Sequence, residues 1–462
     1  MIDLETLPKG WTIAKLGDIC FTTSGGTPSR KVPNYYGGNI PWVKSGELDK
    51  GLILDTEEKI TEDAIKNSSA KLFPKGTLLI ALYGATVGKL AFLGIDATTN
   101  QAVCGIYKSH AVESKLLYYF LQLEKSNLVS QSIGGAQPNI SQGIIKDLTI
   151  PLAPLNEQKR ILAKLEQLLT DLDKGIEYLE TTKQQLKVYR QAVLKWAFEG
   201  KLTNEHVKDG ELPEGWEWKN SGELFSFVTS GSRGWAKYYS KEGAIFIRIT
   251  NLDFDTLEID LTPEKIQYVN PPLTSEGIRT KVQEGDFLFS ITGYLGMFAI
   301  APKLDNAFVN QHISLCRPKS GYNKKFIGYW IISKSGGYHH LNKLQKGATK
   351  AGLGLDDIKG FPIPIAPKEE QDKIVQEIES RLSVCDKIEE TIESSLQQAE
   401  ALRLSIIKKA FEGKLVPQDP NDEPAEKLLE RIRATKGNGK PEKKEKVKVK
   451  SEKKVKTKNV AV

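Results

Sequence analysis

The sequence is poor in the residues that build metal sites and disulfide frameworks, and it lacks long apolar runs. It contains four cysteines and five histidines in 462 residues. The cysteines lie far apart and form no C-x-x-C pair, so neither a disulfide framework nor a zinc site is expected. No apolar run reaches the roughly 18 residues that a membrane helix requires, and the first residues do not resemble a signal peptide. These absences predict a cytoplasmic protein with reduced thiols.

Motifs of self-contained enzymes are also missing. "YGATVGKLA" (Tyr83–Ala91) has the wrong glycine spacing for a phosphate-binding loop and lacks the Ser or Thr after its lysine. "NPPL" (Asn270–Leu273) lacks the aromatic residue that adenine methyltransferases place after N-P-P. Neither H-E-x-x-H nor G-x-S-x-G occurs. The chain is therefore predicted to be non-catalytic by itself and to bind no cofactor or metal.

Positive charge is concentrated at one end of the chain. The net charge is +7, but the tail from Lys436 onward carries eleven lysines and three glutamates. The rest of the chain is thus close to neutral, and overall basicity is no evidence that it binds DNA. A Lys-rich segment without aromatic residues is predicted to be disordered, with a role either in phosphate attraction or in solubility.

The chain consists of two copies of one unit. "LPKGW" (Leu7–Trp11) returns as "LPEGW" (Leu212–Trp216), and "AFEGKL" occurs at Ala197–Leu202 and again at Ala410–Leu415. "IPLAPLNEQKRI" (Ile150–Ile161) likewise returns as "IPIAPKEEQDKI". The order is preserved, so the repeat determines the architecture.

Each copy begins with short apolar runs and glycine-rich turns, which predict an α+β domain. A stretch of about forty residues follows in which apolar residues recur at steps of three and four, as in a coiled coil. We expect the two long helices to pair antiparallel, with a pseudo-twofold relation between the copies. The predicted boundaries are residues 1–151 and 204–364 for the mixed domains, 152–203 and 365–416 for the helices, and 417–462 for a short helix and the disordered basic tail.

The pattern resembles the specificity subunit of type I restriction-modification systems. The resemblance is carried by the repeated "LPKGW" and "LPEGW", by "SGGTPSR…YYGGNIPWVKSGEL" (Ser24–Leu48), and by the paired helices that end in "AFEGKL". It implies that the mixed domains are target recognition domains, each of which reads one half of a bipartite DNA site. It also implies helices that set the spacing and bind two modification subunits, with restriction (motor-nuclease) subunits completing the complex. S-adenosylmethionine, ATP and magnesium would belong to those partner subunits.

Residues that contact base edges are expected in loops of mixed basic, amide and aromatic type, because phosphate contacts only position a domain. The candidates are Ser29, Arg30, Lys31, Tyr36 and Lys44 in the first domain, and Arg233, Lys237, Tyr238, Arg248 and Asn251 in the second. Gln101 and Gln311 occupy a shared position, which favours a structural role.

The modification subunits are predicted to bind near Arg160 and Lys373, where domain and helix meet, and reversal of these charges is expected to leave the fold intact. Two other functions remain open at this stage. One is a single-chain restriction-methylation enzyme, and the other is a DNA-independent coiled-coil scaffold with two ligand-binding heads.

Overall fold

The computed structural model describes residues 6–131, 139–204, 207–208, 210–231, 233–272, 274–344 and 352–438. The chain forms two compact units, and neither coincides with one copy of the repeat. The first unit combines Met1–Ile176 with Gln397–Val462, and the second is Glu177–Leu396. The Lys-rich end of the predicted tail, from residue 439, lies outside the described residues.

The first recognition domain is built on two sheets and a small ribbon. Its described strands are β1 (Thr12–Lys15), β2 (Thr22–Ser24), β3 (Tyr36–Val43), β4 (Leu52–Ile53), β5 (Glu58–Ile60), β6 (Leu72–Phe73), β7 (Leu78–Ala81), β8 (Leu90–Leu93), β9 (Ala97–Thr99), β10 (Val103–Ile106) and β11 (Thr149–Leu152). The main sheet has the order β2-β10-β7-β8-β4, the second sheet has the order β5-β3-β9-β6, and β1 pairs with β11 in an antiparallel ribbon.

The helices of the first copy are α1 (Leu16–Ile19), α2 (Glu62–Lys66), α3 (Ser114–Leu123), α4 (Lys125–Ser130), α5 (Gln142–Asp147) and the long α6 (Leu155–Phe198). Ala64 of α2 packs with Trp42 and Ile60 of the second sheet. The largest apolar core of this unit joins sheet residues such as Ile80 and Ile106 to Leu117 and Phe120 of α3. Ile161 and Leu165 from the start of α6 also belong to it. The recognition domain and the first turns of the helix that follows it therefore share one core.

The second unit repeats this arrangement with a shorter main sheet. Its described strands are β12 (Glu217–Asn220), β13 (Phe225–Ser230), β14 (Tyr239–Ser240), β15 (Ala244–Ile247), β16 (Tyr268–Val269), β17 (Phe287–Ser290), β18 (Phe298–Ile300), β19 (Ala307–Val309), β20 (Ile313–Pro318) and β21 (Pro362–Ile365). The sheets have the orders β13-β20-β17-β18 and β14-β16-β15-β19, and β12 pairs with β21.

The helices of the second unit also follow the first copy. They are α7 (Ser221–Leu224), α8 (Ser275–Arg279), α9 (Lys324–Ile332), α10 (Gly337–Lys343), α11 (Leu355–Gly360) and the long α12 (Lys368–Phe411), with α13 (Ala425–Asn438) near the C terminus belonging to the first unit. The core joins Phe287 and Phe289 of the sheet to Phe326 and Trp330 of α9 and to Ile374 of α12.

The two long helices pair antiparallel within each unit. In the first unit Arg403 of α12 binds Asp173 of α6. In the second, Lys183 lies 2.7 Å from Glu393 and Arg190 lies 2.6 Å from Asp386. Residue numbers rise along α6 as they fall along α12, which defines the antiparallel direction. Exposed pairs of this kind stabilise by only about 0.2–1 kcal/mol each, so they fix register more than stability.

The buried stripe of the helices follows the predicted period with a few exceptions. Leu186, Cys385 and Ile392 form an apolar cluster between the helices in the second unit. Tyr189, Ile388 and Leu402 also fall on the apolar period of the sequence, but their side chains are 45%, 39% and 49% exposed, respectively. At the ends of the helices, apolar residues such as Leu165 and Ile407 pack in the core of the recognition domain.

The repeated "AFEGKL" is the C-terminal cap of each long helix. Gly200 and Gly413 have φ values of +73° and +66°, a left-handed conformation that favours glycine. The amide of Lys201 donates to the carbonyl of Trp196 (3.0 Å), and that of Lys414 donates to the carbonyl of Lys409 (2.9 Å). These bonds form Schellman caps. At the opposite end, α6 begins at Leu155, and Asn156 lies inside its first turn.

Candidate nucleic-acid interface

The candidate base-contacting loops begin at the same turn in both domains. Each follows a repeated "TSG" at the end of β2 or β13, where Gly25 and Gly231 lie against the backbone near Thr99 and Asn310. A Cβ at either glycine would overlap those atoms, so a larger residue cannot replace glycine without displacing the turn. After this shared turn the two sequences diverge, so the same scaffold presents different side chains.

The first-domain candidates surround a cluster of paired charges. The Arg30 guanidinium lies 4.1 Å from the Tyr36 ring centroid and 5.4 Å from that of Trp42. Its Nη1 lies 2.8 Å from Glu58 Oε2, while Lys44 Nζ lies 2.7 Å from Glu57 Oε2 and 3.3 Å from Glu58 Oε1. The hydrogen bond from Arg30 lowers the pKa of Glu58. The charges of these two cations and two carboxylates balance, so the cluster as a whole attracts DNA less than unpaired cations would.

The remaining first-domain candidates differ in exposure and in their hydrogen bonds. Ser29 and Lys31 are exposed, and the Ser29 hydroxyl accepts a 3.4 Å hydrogen bond from the Lys31 amide. The Tyr36 hydroxyl donates to the carbonyl of Pro28 (2.6 Å), so its ring braces the loop. Gln101 accepts a hydrogen bond from Thr27 in the same loop, which fits the structural role expected for it.

Three of the second-domain candidates lie together next to a buried tryptophan. Arg233 and Lys237 are exposed, and Lys237 Nζ lies 4.9 Å from the ring centroid of Tyr238. The Tyr238 ring packs edge-on against buried Trp235, whose Nε1 donates to Glu276 Oε1 at 2.6 Å. Trp235 thus anchors the short turn that presents Lys237 and Tyr238.

Asn251 is unsuited to base recognition, and its assignment is corrected here. The residue is only 1% exposed, and its side-chain amide donates to the carbonyls of Asp260 (2.8 Å) and Lys265 (3.2 Å). Its Oδ1 accepts from the amide of Arg248, whose Nη2 in turn donates to the carbonyl of Lys265 (3.1 Å). Asn251 therefore holds a loop together, and Arg248 participates in the same network.

A buried glutamine joins each recognition domain to its long helix, and the sequence reasoning missed it. Gln158 and Gln371 are each 1% exposed. Gln158 Oε1 accepts from the amide of Glu113 (3.0 Å), the N-cap residue of α3. Gln371 Oε1 accepts from the amide of Asn323 (2.8 Å), the N-cap residue of α9. The repeated "EQ" in the two "P-x-x-E-Q" segments was the available signal, since a polar residue repeated at a predicted helix start suggests a shared bond.

The neighbouring glutamates make a second joint. Glu157 accepts from Trp11 Nε1 at 3.1 Å, while Glu370 accepts from Thr203 Oγ1 (2.9 Å) and Asn204 Nδ2 (3.1 Å). Burial raises the pKa of Glu157. Together the "EQ" pairs fix the angle between each domain and the first turn of its helix. A helix can act as a spacer only if this angle is fixed.

The two predicted partner-binding residues are placed differently. Lys373 is exposed on the first turns of α12. Arg160 instead binds within its own chain, because its Nη2 donates to Asp422 Oδ2 at 2.6 Å, and the Asp422 side chain is only 6% exposed. The expectation that charge reversal at Arg160 leaves the fold intact is therefore not supported, since reversal would place two carboxylates together.

We expect Arg160→Ala to lower the free energy of unfolding by about 1–2 kcal/mol at pH 7, because Asp422 loses its charged partner. Hydrogen bonding to Arg160 lowers the pKa of Asp422. A carboxyl with a lowered folded-state pKa contributes stability above its unfolded value, and that contribution is lost as the pH falls through the folded pKa. Urea unfolding should therefore show a difference that shrinks below about pH 4. A double variant with Asp422→Asn is the control, and additive effects of the two changes would contradict a direct interaction.

The described residues lack two features. Within these ranges, no group of three or more His, Cys, Asp or Glu residues is arranged to hold a metal ion. Across the same part of the chain, no helix has the length and apolar character needed to cross a membrane.

Comparison with known proteins decides the family. The profile described as "Type I restriction modification DNA specificity domain" matches residues 8–187 and 213–398, which is one match per copy of the repeat. The chain belongs to this family. The prediction of a specificity subunit that is non-catalytic by itself is confirmed, and the DNA-independent scaffold is disfavoured.

Specificity subunits from bacteria and archaea align with this chain. It is 26% identical to the EcoKI specificity subunit of Escherichia coli K12 over 450 residues, covering 93% of this chain and 96% of that one. It is 31% identical to the MjaIX specificity subunit of Methanocaldococcus jannaschii over 264 residues, covering 54% of this chain and 60% of that subunit.

Two solved structures show the same fold. A chain from a study of complex assembly and conformational transition of the type I R-M system aligns over 88% of this chain and 99% of its own. Its TM-score is 0.63 at 19% identity. The HsdS subunit of Thermoanaerobacter tengcongensis aligns over 88% of this chain and 98% of its own, with a TM-score of 0.52 at 20% identity. The predicted fold of two mixed domains with long helices is thereby confirmed.

Proposed function

We propose that this specificity subunit directs a type I restriction-modification complex to an asymmetric, bipartite site in double-stranded DNA. Each recognition domain reads one half of the site, and the paired helices set the gap and bind two modification subunits. Restriction subunits join the same assembly. The observation that carries this proposal is the repeated "TSG" turn, which begins two loops of different chemistry on one scaffold.

The contrast between the two loops supports an asymmetric site. The first presents Arg30 paired with Glu58, next to the Lys44–Glu57 pair that follows β3, whereas the second presents exposed Arg233 and Lys237 beside an aromatic anchor. Side chains of such different type contact different base edges. The buried Gln158 and Gln371 joints then transmit the position of each domain to a long helix, so that the two halves are read at a fixed separation.

The chemistry is assigned to the partner subunits. S-adenosylmethionine would supply the methyl group, and ATP with magnesium would drive the motor-nuclease subunits in the cytoplasm. This chain's own residues bind and orient DNA, since the family assignment gives it the specificity role. A single chain that also methylates or cleaves DNA is disfavoured by its match to specificity subunits over both halves.

We expect the purified chain to transfer no methyl group, while a mixture with its modification subunit methylates adenine. The measurement is tritium transfer from labelled S-adenosylmethionine to unmethylated genomic DNA. The modification subunit alone serves as the control for non-specific transfer. Methylation by the isolated chain above background would contradict the proposal, as would equal activity of the modification subunit with and without this chain.

A further inference from the structure

A basic side chain is fixed at the same place in both recognition domains. In the first, Lys71 Nζ donates to Thr23 Oγ1 (2.6 Å) and to the carbonyl of Ser24 (3.2 Å). In the second, Arg279 Nη1 donates to Thr229 Oγ1 (2.5 Å) and to the carbonyl of Ser230 (2.6 Å). These acceptors are the Thr-Ser of the repeated "TSG" turn. Two different residue types therefore place a positive charge on equivalent oxygen atoms.

The two bonds that Lys71 and Arg279 share differ from the ion pairs of Arg30 and Lys44. A hydroxyl and a carbonyl are neutral acceptors, and these two bonds orient each head group. Lys71 and Arg279 are both exposed. By contrast, Arg30 and Lys44 bind carboxylates directly. A cation that is oriented and exposed is well suited to contact an anion from solution.

The segments that carry Lys71 and Arg279 also support the candidate base-contacting loops that begin at the "TSG" turns, here called the reading loops. A Cβ on Gly26, at the start of the first loop, would overlap the backbone of Ser69, which lies two residues before Lys71. In the second domain, Glu276 holds the indole of Trp235 in the reading loop and lies on the same short helix as Arg279. Each cation thus lies at the base of the loop whose side chains would face DNA.

We propose that Lys71 and Arg279 each contact a phosphate of the DNA backbone and so set the register of their domain on its half-site. This inference rests on the proposed function. Residues that read bases must differ between domains that read unlike half-sites, but the phosphate backbone is the same in both. A position where both domains keep a cation, one Lys and one Arg, matches that common feature, because a phosphate accepts either.

The test uses the full chain assembled with its modification subunit, and duplexes that carry the site found by sequencing methylated genomic DNA. Lys71→Ala and Arg279→Ala are each expected to reduce the slope of log affinity against log salt by about 0.9, the value for one lost phosphate contact. Each alanine variant should bind more weakly than the complex without substitutions, and the ratio of the two affinities should therefore shrink about 3-fold between 50 and 200 mM salt. The loss should be equal on the cognate duplex and on one with scrambled half-sites.

Conservative and matched variants separate the proposal from a purely structural role. Lys71→Arg and Arg279→Lys keep the charge and should restore the slope. Lys15→Ala removes an exposed lysine that pairs with Asp147, 2.9 Å away on another part of the first domain, and should leave the slope unchanged. An unchanged slope in both alanine variants, even with a lowered melting temperature, would overturn the proposal. So would a loss confined to the cognate duplex, which would indicate base reading. If the complex without substitutions does not prefer the cognate duplex, the proposed function itself fails.

Discussion

Replacing residues 22–106 with the matching segment of another family member is expected to change one half of the methylated site completely and leave the other half unchanged. The segment contains the first reading loop, the main-sheet strands β2, β4, β7, β8 and β10, and all of the second sheet. The two ends of the segment lie next to each other in the fold, because the amide of Tyr107 donates to the carbonyl of Phe21 at 2.9 Å. The exchange therefore leaves α3, the buried Gln158 and the start of α6 in their own sequence.

The donor segment must preserve the sheet face that packs on α3, represented by Ile80 and Ile106. A mismatch there would leave a cavity that costs about 2–5 kcal/mol, and the fold would fail before specificity could be measured. The readout is sequencing of methylated genomic DNA from cells that contain the chimera and its modification subunit.

The reciprocal exchange of residues 225–318 is the matched control. This segment also closes on itself, because the amide of Lys319 donates to the carbonyl of Leu224 at 2.8 Å. It should change the opposite half-site. If either chimera alters both halves, the domains do not read independently and the bipartite assignment is wrong.

Lengthening both long helices by one heptad is expected to widen the unspecified gap by roughly three base pairs. Seven residues add about 10 Å at 1.5 Å per residue, and duplex DNA advances about 3.4 Å per base pair. The pairing of Lys183 with Glu393 defines where the insertions belong. One heptad follows Lys183 and the other precedes Glu393, so the antiparallel register is kept on both sides.

The inserted length also turns the second half-site by about 100° around the duplex axis, given about 10.5 base pairs per turn. The helices or the DNA must absorb that twist, so the rate of methylation is expected to fall while the half-site sequences stay the same. Insertion into α6 alone is the control, because it shifts the buried stripe against its partner and should prevent assembly. A methylated site with an unchanged gap would show that the helices do not set the spacing.

The large-scale architecture was predictable because the repeat and the helical period are long-range patterns. "LLIAL", "KLAFLGI" and "AVCGIY" lie in β7, β8 and β10, and "KKFIGYWIISK" forms α9. The caps at Gly200 and Gly413 were also predictable, since only a few residue types tolerate the left-handed conformation. What the period could not show is which apolar residues pack in the domain core, as Leu165 and Ile407 do, and which stay exposed, as Leu402 does.

The candidate site was less predictable, because a loop residue's role depends on partners that are remote in sequence. Asn251 looks like a base reader until its amide is seen bonded to Asp260 and Lys265. No sequence pattern marks Lys71 as a candidate, because the residue to which it bonds, Thr23, is 48 positions away. Polar side chains carry no periodic signal, so only the folded structure sorts those that support a loop from those exposed on it.

The division of the chain into its two units bears on the order of events during synthesis. The second unit is one continuous stretch, Glu177–Leu396, whereas the first needs Gln397 onward as well as the N-terminal residues. Phe411 must pack against Phe120, Gln418 must reach the carbonyl of Lys9, and Leu429 must enter the same core. During synthesis, the core of the first unit therefore stays incomplete until the C-terminal residues are made. The second unit has all its residues before that point. The nascent chain is expected to depend on chaperones most while its final fifty or so residues are still being added.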